Sequence, residues 1–269
     1  MPNFSSPYYE ANYANFETEL YSQIRCEAFG KDIGQNSWLT ADEHDTFLGW
    51  LALASDKTAL DVACGSGGPA LRMAAQTGCS VIGVDINEQA ILTANSSASR
   101  HQLNERVAFH VVNATEQSPF TDASFDAITC IDAIHHLPDR LSVINDWSRL
   151  LKCGGRLLFT NPATVTGPIT GEEVAVRSSV GLLIFVPPNY DKDVIAQADL
   201  RLLECRDVSA NTARIAEKRR LAREARSAAL RTVEGDATFE AQQKFLAVTA
   251  RLARERRLSR FVYVSEKII

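Results

Sequence analysis

The chain has 269 residues, of which 45% are hydrophobic and 23% charged, with a formal net charge of −5; that is ordinary for a globular protein and fits one large α/β domain with additions, or two small domains. The longest apolar run, Gly181–Val186, is far too short to span a bilayer, and the start MPNFSSPYYEANYANFETEL, with neither a basic segment nor an apolar core, is not read as a signal peptide. Six cysteines, at 26, 64, 79, 130, 153 and 205, form no CxxC pair and no metal-ligand spacing, so no metal site is expected and a reduced, cytoplasmic setting is the default.

Residues 1–55 read as an extension ahead of the first sheet strand. Tyr8–Phe29 is helix-compatible and rich in aromatics, and Thr40 offers an N-cap before an acidic turn and the apolar Phe47, Trp50 and Leu51. Between them lies the polar loop Phe29–Trp38, which contains Gln35.

The first strand signal is Thr58–Ala63, and it runs into Cys64-Gly65-Ser66-Gly67-Gly68-Pro69-Ala70-Leu71. This is a strand, a tight glycine turn and a helix start: the glycines permit positive φ and close approach of a ligand, and Pro69 suits the first helical turn. Gly65-x-Gly67-x-x-Ala70 satisfies the dinucleotide fingerprint, in which a pyrophosphate sits on the helix N-terminus. Asp61, four residues before Gly65, argues against that reading, because a carboxylate there repels a pyrophosphate and attracts a cation. S-adenosylmethionine carries an ammonium and a sulfonium and no phosphate. The second strand ends in Asp85, where an acid can hold two ribose hydroxyls of either cofactor.

Beyond Lys57 strand and helix signals alternate, which predicts a parallel sheet. Strands are expected at 58–63, 80–85, 106–112, 125–131 and 155–161, with helices near 68–77, 88–102 and 139–152, the last ended by Gly154-Gly155. Asp199–Arg206 and Phe261–Val264 supply two further strands. Between these two lies an insertion, about 209–257, whose halves both read as helix around a break at Glu234-Gly235-Asp236, a helical hairpin in outline. Residues 211–260 hold 13 Lys or Arg against 6 Asp or Glu, so this stretch carries +7 and the remainder −12. Such a patch reads either as a solvated helix face or as a surface for an anionic partner.

DVACGSGGPAL, VIGVDIN, SFDAITCIDAIHHLPD and LKCGGRLLFTN, in this order and spacing, resemble the successive motifs of class I S-adenosylmethionine-dependent methyltransferases over roughly residues 56–165. The ends of the chain more loosely resemble small-molecule methyltransferases of the phosphoethanolamine and glycine-betaine pathway type. The resemblance implies a Rossmann-like α/β fold with a seven-stranded, mostly parallel sheet whose last strand is antiparallel. It divides a single domain into an N-terminal helical lid (1–55), a cofactor-binding core (56–206) with an acceptor-pocket segment (162–190), a helical insertion (207–258) and a last strand (259–269).

The same resemblance implies the site. S-adenosylmethionine, and S-adenosylhomocysteine as product, would meet Asp61, Gly65, Gly67, Asp85 and Ile86, with Asn113-Ala114 at the adenine, Asp132 at the end of the fourth strand, and Gln35 from the lid loop near the methionine. Asn113 stands where the family usually has Asp. In phosphoethanolamine methyltransferases the histidine matching His136 acts with an N-terminal tyrosine; here that tyrosine has no clean counterpart, since Tyr13 and Tyr21 flank its place near Glu17. Pro162 also replaces a tyrosine of that subfamily. Both departures argue against a phosphobase substrate; His136, after the fourth strand, is the candidate base, with a structural hydrogen bond as the other reading. Arg177, in the segment Pro162–Tyr190, is the expected contact for an anionic group on a partly apolar acceptor.

The leading expectation is a methyltransferase acting on N or O of a small metabolite, a monomer or homodimer with no nucleic-acid or membrane partner. The alternatives are an RNA methyltransferase using the basic insertion, a nucleotide-dependent dehydrogenase, and a non-catalytic S-adenosylmethionine-binding protein.

Overall fold

The computed structural model describes residues 7–268. The chain opens with α1 (Pro7–Asn15), α2 (Glu19–Phe29) and α3 (Ala41–Gly49), then alternates β1 (Thr58–Val62), α4 (Gly68–Thr77), β2 (Ser80–Asp85), α5 (Glu88–Arg100), β3 (Val107–Val111), β4 (Phe125–Cys130), α6 (Arg140–Leu150) and β5 (Leu151–Val165). It closes with α7 (Gly171–Arg177), α8 (Tyr190–Gln197), β6 (Leu200–Asp207), α9 (Ser209–Glu224), α10 (Ser227–Glu234), α11 (Asp236–Arg254) and β7 (Leu258–Lys267). The seven strands form one sheet in the order β3-β2-β1-β4-β5-β7-β6. Strands β1 to β5 pair in parallel, and β7 runs antiparallel to both β5 and β6.

Period-two alternation puts neighbouring residues on opposite faces of the sheet. Ala59, Ala127 and Leu158 join a core with Leu48, Met73 and Ile91 from α3, α4 and α5. Leu60, Ile128 and Phe159 join another with Trp147 and Ile195 from α6 and α8. Strands buried on both faces read as the near-continuous apolar runs seen in the sequence. Helix ends follow their caps: the Thr40 hydroxyl accepts from the Glu43 N–H, Asn87 from Ala90, and Gly78 ends α4 at φ 75°.

A second layer is built from the two ends of the chain. Ala28, Phe29 and Trp38 pack with Ile215, Phe245 and Leu246, while Ile24 packs with Ala222, Leu230 and Phe239. Helices α1 and α2 and the insertion thus form one cap over the carboxyl ends of the strands, while α3 packs against the sheet.

The structure corrects several expected boundaries. Helix α6 stops at Leu150 because Leu151 already pairs with Phe125; Gly154, at φ 74°, then turns the chain within an irregularity of the ladder rather than opening the strand. The expected hairpin is three helices, since the chain breaks at Ala225-Arg226 as well as at Gly235, and α9 and α11 form the long pair. The N-terminal helix is likewise two, broken between Asn15 and Glu19.

The basic insertion is largely neutralised. Arg220 pairs with Glu217, Arg223 with Glu234, Arg226 with Glu27, Lys244 with Glu172, Arg251 and Arg257 with Glu173, and Arg231 with Asp236 and Glu240.

Candidate active site

Two acids lie at the ends of adjacent central strands. Asp61 is buried and accepts a hydrogen bond from the Thr129 hydroxyl at 2.6 Å. Burial pushes its carboxyl up to about 7, opposed by that hydrogen bond and helped by the negative charge of Asp85. Asp85 accepts from the Gly65 and Asn87 N–H groups, each at 2.9 Å, and burial raises its carboxyl as well despite those donors. Among the described residues neither acid pairs with a cation. Both line one cavity of about 180 Å³ at the carboxyl ends of the strands, where open α/β sheets bind ligands.

The turn between them is shaped by close approach. Ala63 and Gly65 both adopt φ 55°, and a methyl group on Gly65 would lie 2.5 Å from the Tyr13 hydroxyl. A methyl on Gly68 would lie 1.9 Å from the Ile33 carbonyl oxygen, so only glycine lets the loop after α2 lie on the start of α4. The Ser66 hydroxyl donates to the Gly34 carbonyl across the same contact.

Of the residues expected at the cofactor, Gln35, Asp61, Gly65, Asp85, Ile86, Asn113, Ala114 and Asp132 all line this cavity. Gly67 does not: a methyl there would meet the Phe109 ring at 2.5 Å, so its place is packing beneath the turn. Asn113 uses its side-chain oxygen to accept from the N–H and hydroxyl of Thr115, closing its own turn. Asp132, at φ 53°, accepts from Arg260 Nε at 2.6 Å, the Thr160 hydroxyl at 2.7 Å and the Trp38 N–H at 2.9 Å. Arg260 is itself buried and also donates to Glu43, so Asp132 ties the sheet to the loop before α3.

His136 lies in a short 3-10 turn after β4 and lines the cavity. Its Nδ1 faces the Leu182 carbonyl, an acceptor, which assigns the proton to Nδ1 and leaves Nε2 as acceptor. The Tyr9 hydroxyl then donates to Nε2 at 3.0 Å. Burial lowers the His136 pKa and raises that of Tyr9, so both groups are neutral near pH 7. His135 is buried with its ring 4.0 Å from that of His136, and no cluster of metal-ligating residues occurs among the described residues.

Tyr9, from α1, is the tyrosine that reaches His136, with Tyr13 one helical turn further on the same cavity wall. The i, i+4 spacing of Tyr9 and Tyr13 was the available signal. Arg177 is not on the wall: it is buried, donates to the Thr249 hydroxyl at 2.8 Å, and lies over the Phe245 ring. Val180 and Leu182, from the same segment, do line the cavity.

Residues 53–186 match a family model described as a methyltransferase domain. The 27-O-demethylrifamycin SV methyltransferase of Amycolatopsis mediterranei (strain S699) is 34% identical over 168 residues, 59% of this chain and 61% of that protein. The chain spans less than two thirds of the length of the curated relatives it matches. Among solved structures, the cyclase SpnF superposes with a TM-score of 0.76 at 21% identity over 100% of both chains. Phosphoethanolamine N-methyltransferase 2 of Haemonchus contortus, solved with phosphomonomethylethanolamine and S-adenosylhomocysteine, gives 0.79 at 17% identity over 96% of this chain and 60% of that one. These two likenesses are of fold.

Proposed function

We propose that this chain is a class I methyltransferase, that it binds S-adenosylmethionine in the cavity of Asp61 and Asp85, and that it methylates a nitrogen or oxygen of a small molecule. The observation that carries this reading is the pair of buried acids without a cation, in the same cavity as the Tyr9–His136 hydrogen bond.

The donor set fits the cofactor. Asp61 would face a cationic group, which would return its carboxyl toward the ordinary range; a pyrophosphate in that place would meet repulsion. Asp85, braced by two backbone N–H groups, would accept from ribose hydroxyls, and Ile86 and Ala114 would flank the adenine. When bound, the cofactor would supply a methyl group on a positively charged sulfur, a leaving group able to retain the bonding electron pair while an acceptor lone pair takes the methyl.

The chain's own task is alignment, exclusion of water and removal of one proton. Tyr9 closes the cavity from α1 and presents a hydroxyl oxygen to the acceptor. As the acceptor's N–H or O–H proton passes to that oxygen, the Tyr9 proton passes to His136 Nε2, and the imidazolium formed keeps its Nδ1–H on the Leu182 carbonyl. His136 is neutral beforehand, as a base must be.

The RNA reading loses support because the insertion's cations are mostly spent on carboxylates, four of them (Glu27, Glu172, Glu173 and Asp207) from outside that stretch. The test is transfer of label from methyl-labelled S-adenosylmethionine to a metabolite extract, followed by mass identification of the product. Labelled small molecules support the proposal. Label in RNA, or none despite cofactor binding, overturns it.

A further inference from the structure

Behind the cofactor cavity lies a larger one, of about 500 Å³, enclosed by α1, α2, the loop after α2 and the three helices of the insertion. Its size is that of a small-molecule pocket (about 300–1,000 Å³). Gln35, Asn36 and Val180 line both cavities and form the partition between them.

Its charges are not balanced. Arg25 pairs with Asp32 at 3.0 Å, and Arg223 pairs with Glu234 at 2.6 Å, a carboxylate that also accepts from Tyr21. Arg219, from α9, has no such partner: among the described residues no carboxylate lies within ion-pair distance of it. It is held by the Tyr8 hydroxyl and by the face of Trp38, 5.5 Å from its guanidinium carbon, and burial lowers its pKa. A half-buried guanidinium without a counter-charge favours an anion and disfavours a cation. A second orphan sits at the partition. Gln35 is only 1% exposed; its side-chain oxygen accepts from the Ile33 N–H, while its Nε2 donor has no partner. Buried donors of this kind are rare without a ligand or water to receive them. Phe16, Ile24, Val180 and Val233 give the remaining wall apolar surface, beside the polar Asn12, Asn15 and Gln242.

We infer that this chamber holds the body of the methyl acceptor, and that the acceptor is an amphipathic monocarboxylate whose acid group pairs with Arg219 while an oxygen near the partition receives the Gln35 amide. One unbalanced guanidinium matches one negative charge, which favours a carboxylate over a phosphate monoester. The reacting end then reaches past the partition to Tyr9 and His136. This assignment rests on the methyl-transfer reading for the role of the chamber, though not for its ligand chemistry.

The test is calorimetric titration of the full chain, with and without S-adenosylhomocysteine, by 4-phenylbutyrate, 4-phenylbutyramide, 4-phenylbutylamine and 4-phenylbutyl phosphate. The acid is expected to bind more tightly than the amide by about tenfold or more (the worth of a hydrogen bond to a charged group), with the amine weaker still and the phosphate no better than the acid. Arg219→Gln should erase that preference and Arg219→Lys should keep most of it. Arg214→Gln, an exposed neighbour on the same helix bonded to Asn211, should change nothing. S-adenosylhomocysteine should bind all four proteins alike. Equal affinity for acid and amide, a preference for the phosphate, unchanged selectivity in Arg219→Gln, or no binding by any probe would overturn the inference. Failure of S-adenosylhomocysteine to bind would instead sink the methyl-transfer reading, leaving the acid preference to stand or fall by itself.

Discussion

The Tyr9 hydroxyl and His136 Nε2, 127 residues apart in the chain, lie 3.0 Å apart in the fold. The Leu182 carbonyl behind His136 fixes which nitrogen is free, so a third segment orients the pair. Three pieces of chain, far apart in sequence, thus form one hydrogen-bonded unit on the cavity wall.

If that unit removes the acceptor's proton, Tyr9→Phe and His136→Gln should each lower turnover by roughly 10²–10⁴-fold. Cofactor affinity should stay within about twofold, since neither change removes a group assigned to cofactor binding. The double variant should be little worse than either single one, because groups that act as a unit are not additive. Losses below about tenfold would leave positioning alone as the mechanism.

Asp61 sets a pH dependence whose sign follows from its raised pKa. The unfolded carboxyl ionises near about 3.9, while the folded one does so at about 7. Between those values the folded state holds a proton that the unfolded state has lost, so this group's contribution to stability falls as pH rises through that window and is flat above it. Asp61→Asn should therefore stabilise the ligand-free protein at pH 8, by roughly 1–4 kcal/mol in thermal or urea unfolding. A cationic ligand favours the ionised acid, so S-adenosylhomocysteine should bind more tightly at pH 8 than at pH 6, by up to about tenfold. The asparagine variant should bind it weakly at both.

Gly68→Ala would place a methyl group 1.9 Å from the Ile33 carbonyl oxygen. The loop carrying Gly34 and Gln35 must then move off the turn, at a cost of about 1–3 kcal/mol. A lowered melting temperature and weakened cofactor binding are expected together. Gly49→Ala is the control, because nothing lies within 4 Å of its added methyl.

How far the sequence could be read depended on the range of the forces involved. The glycine turn, Asp61, Asp85 and the caps of α3, α4 and α5 are local, and their residue types announce them. Sheet order came from resemblance, since a strand pattern does not say which neighbour it pairs with. Tyr9 escaped because the break after Asn15 rotates α1 independently of α2, so distance along the chain misplaced the tyrosine. Arg177 and Arg219 look alike in sequence; only packing puts one beneath Phe245 and the other on a cavity wall. Asp132 was legible as a strand-end acid, but its three donors come from Thr160, Trp38 and Arg260, none of them near it in the chain.

The insertion should not bind nucleic acid. With Arg220, Arg223, Arg226, Arg231, Lys244 and Arg251 all paired to carboxylates, few cations remain to displace counterions from phosphate. Filter binding of bulk tRNA should show no submicromolar complex that weakens steeply between about 50 and 200 mM salt. Such a complex would restore the RNA reading.

The central claim is that Asp61 and Asp85 select an adenosyl cofactor without phosphate, and calorimetric titration of S-adenosylhomocysteine and NAD against wild type and Asp85→Ala tests it most directly. The account predicts saturable one-to-one binding of S-adenosylhomocysteine, no binding of NAD, and a loss of about 1.5–3 kcal/mol in the variant as charge-assisted hydrogen bonds disappear. Binding of NAD by the wild type, with indifference to S-adenosylhomocysteine, would contradict it.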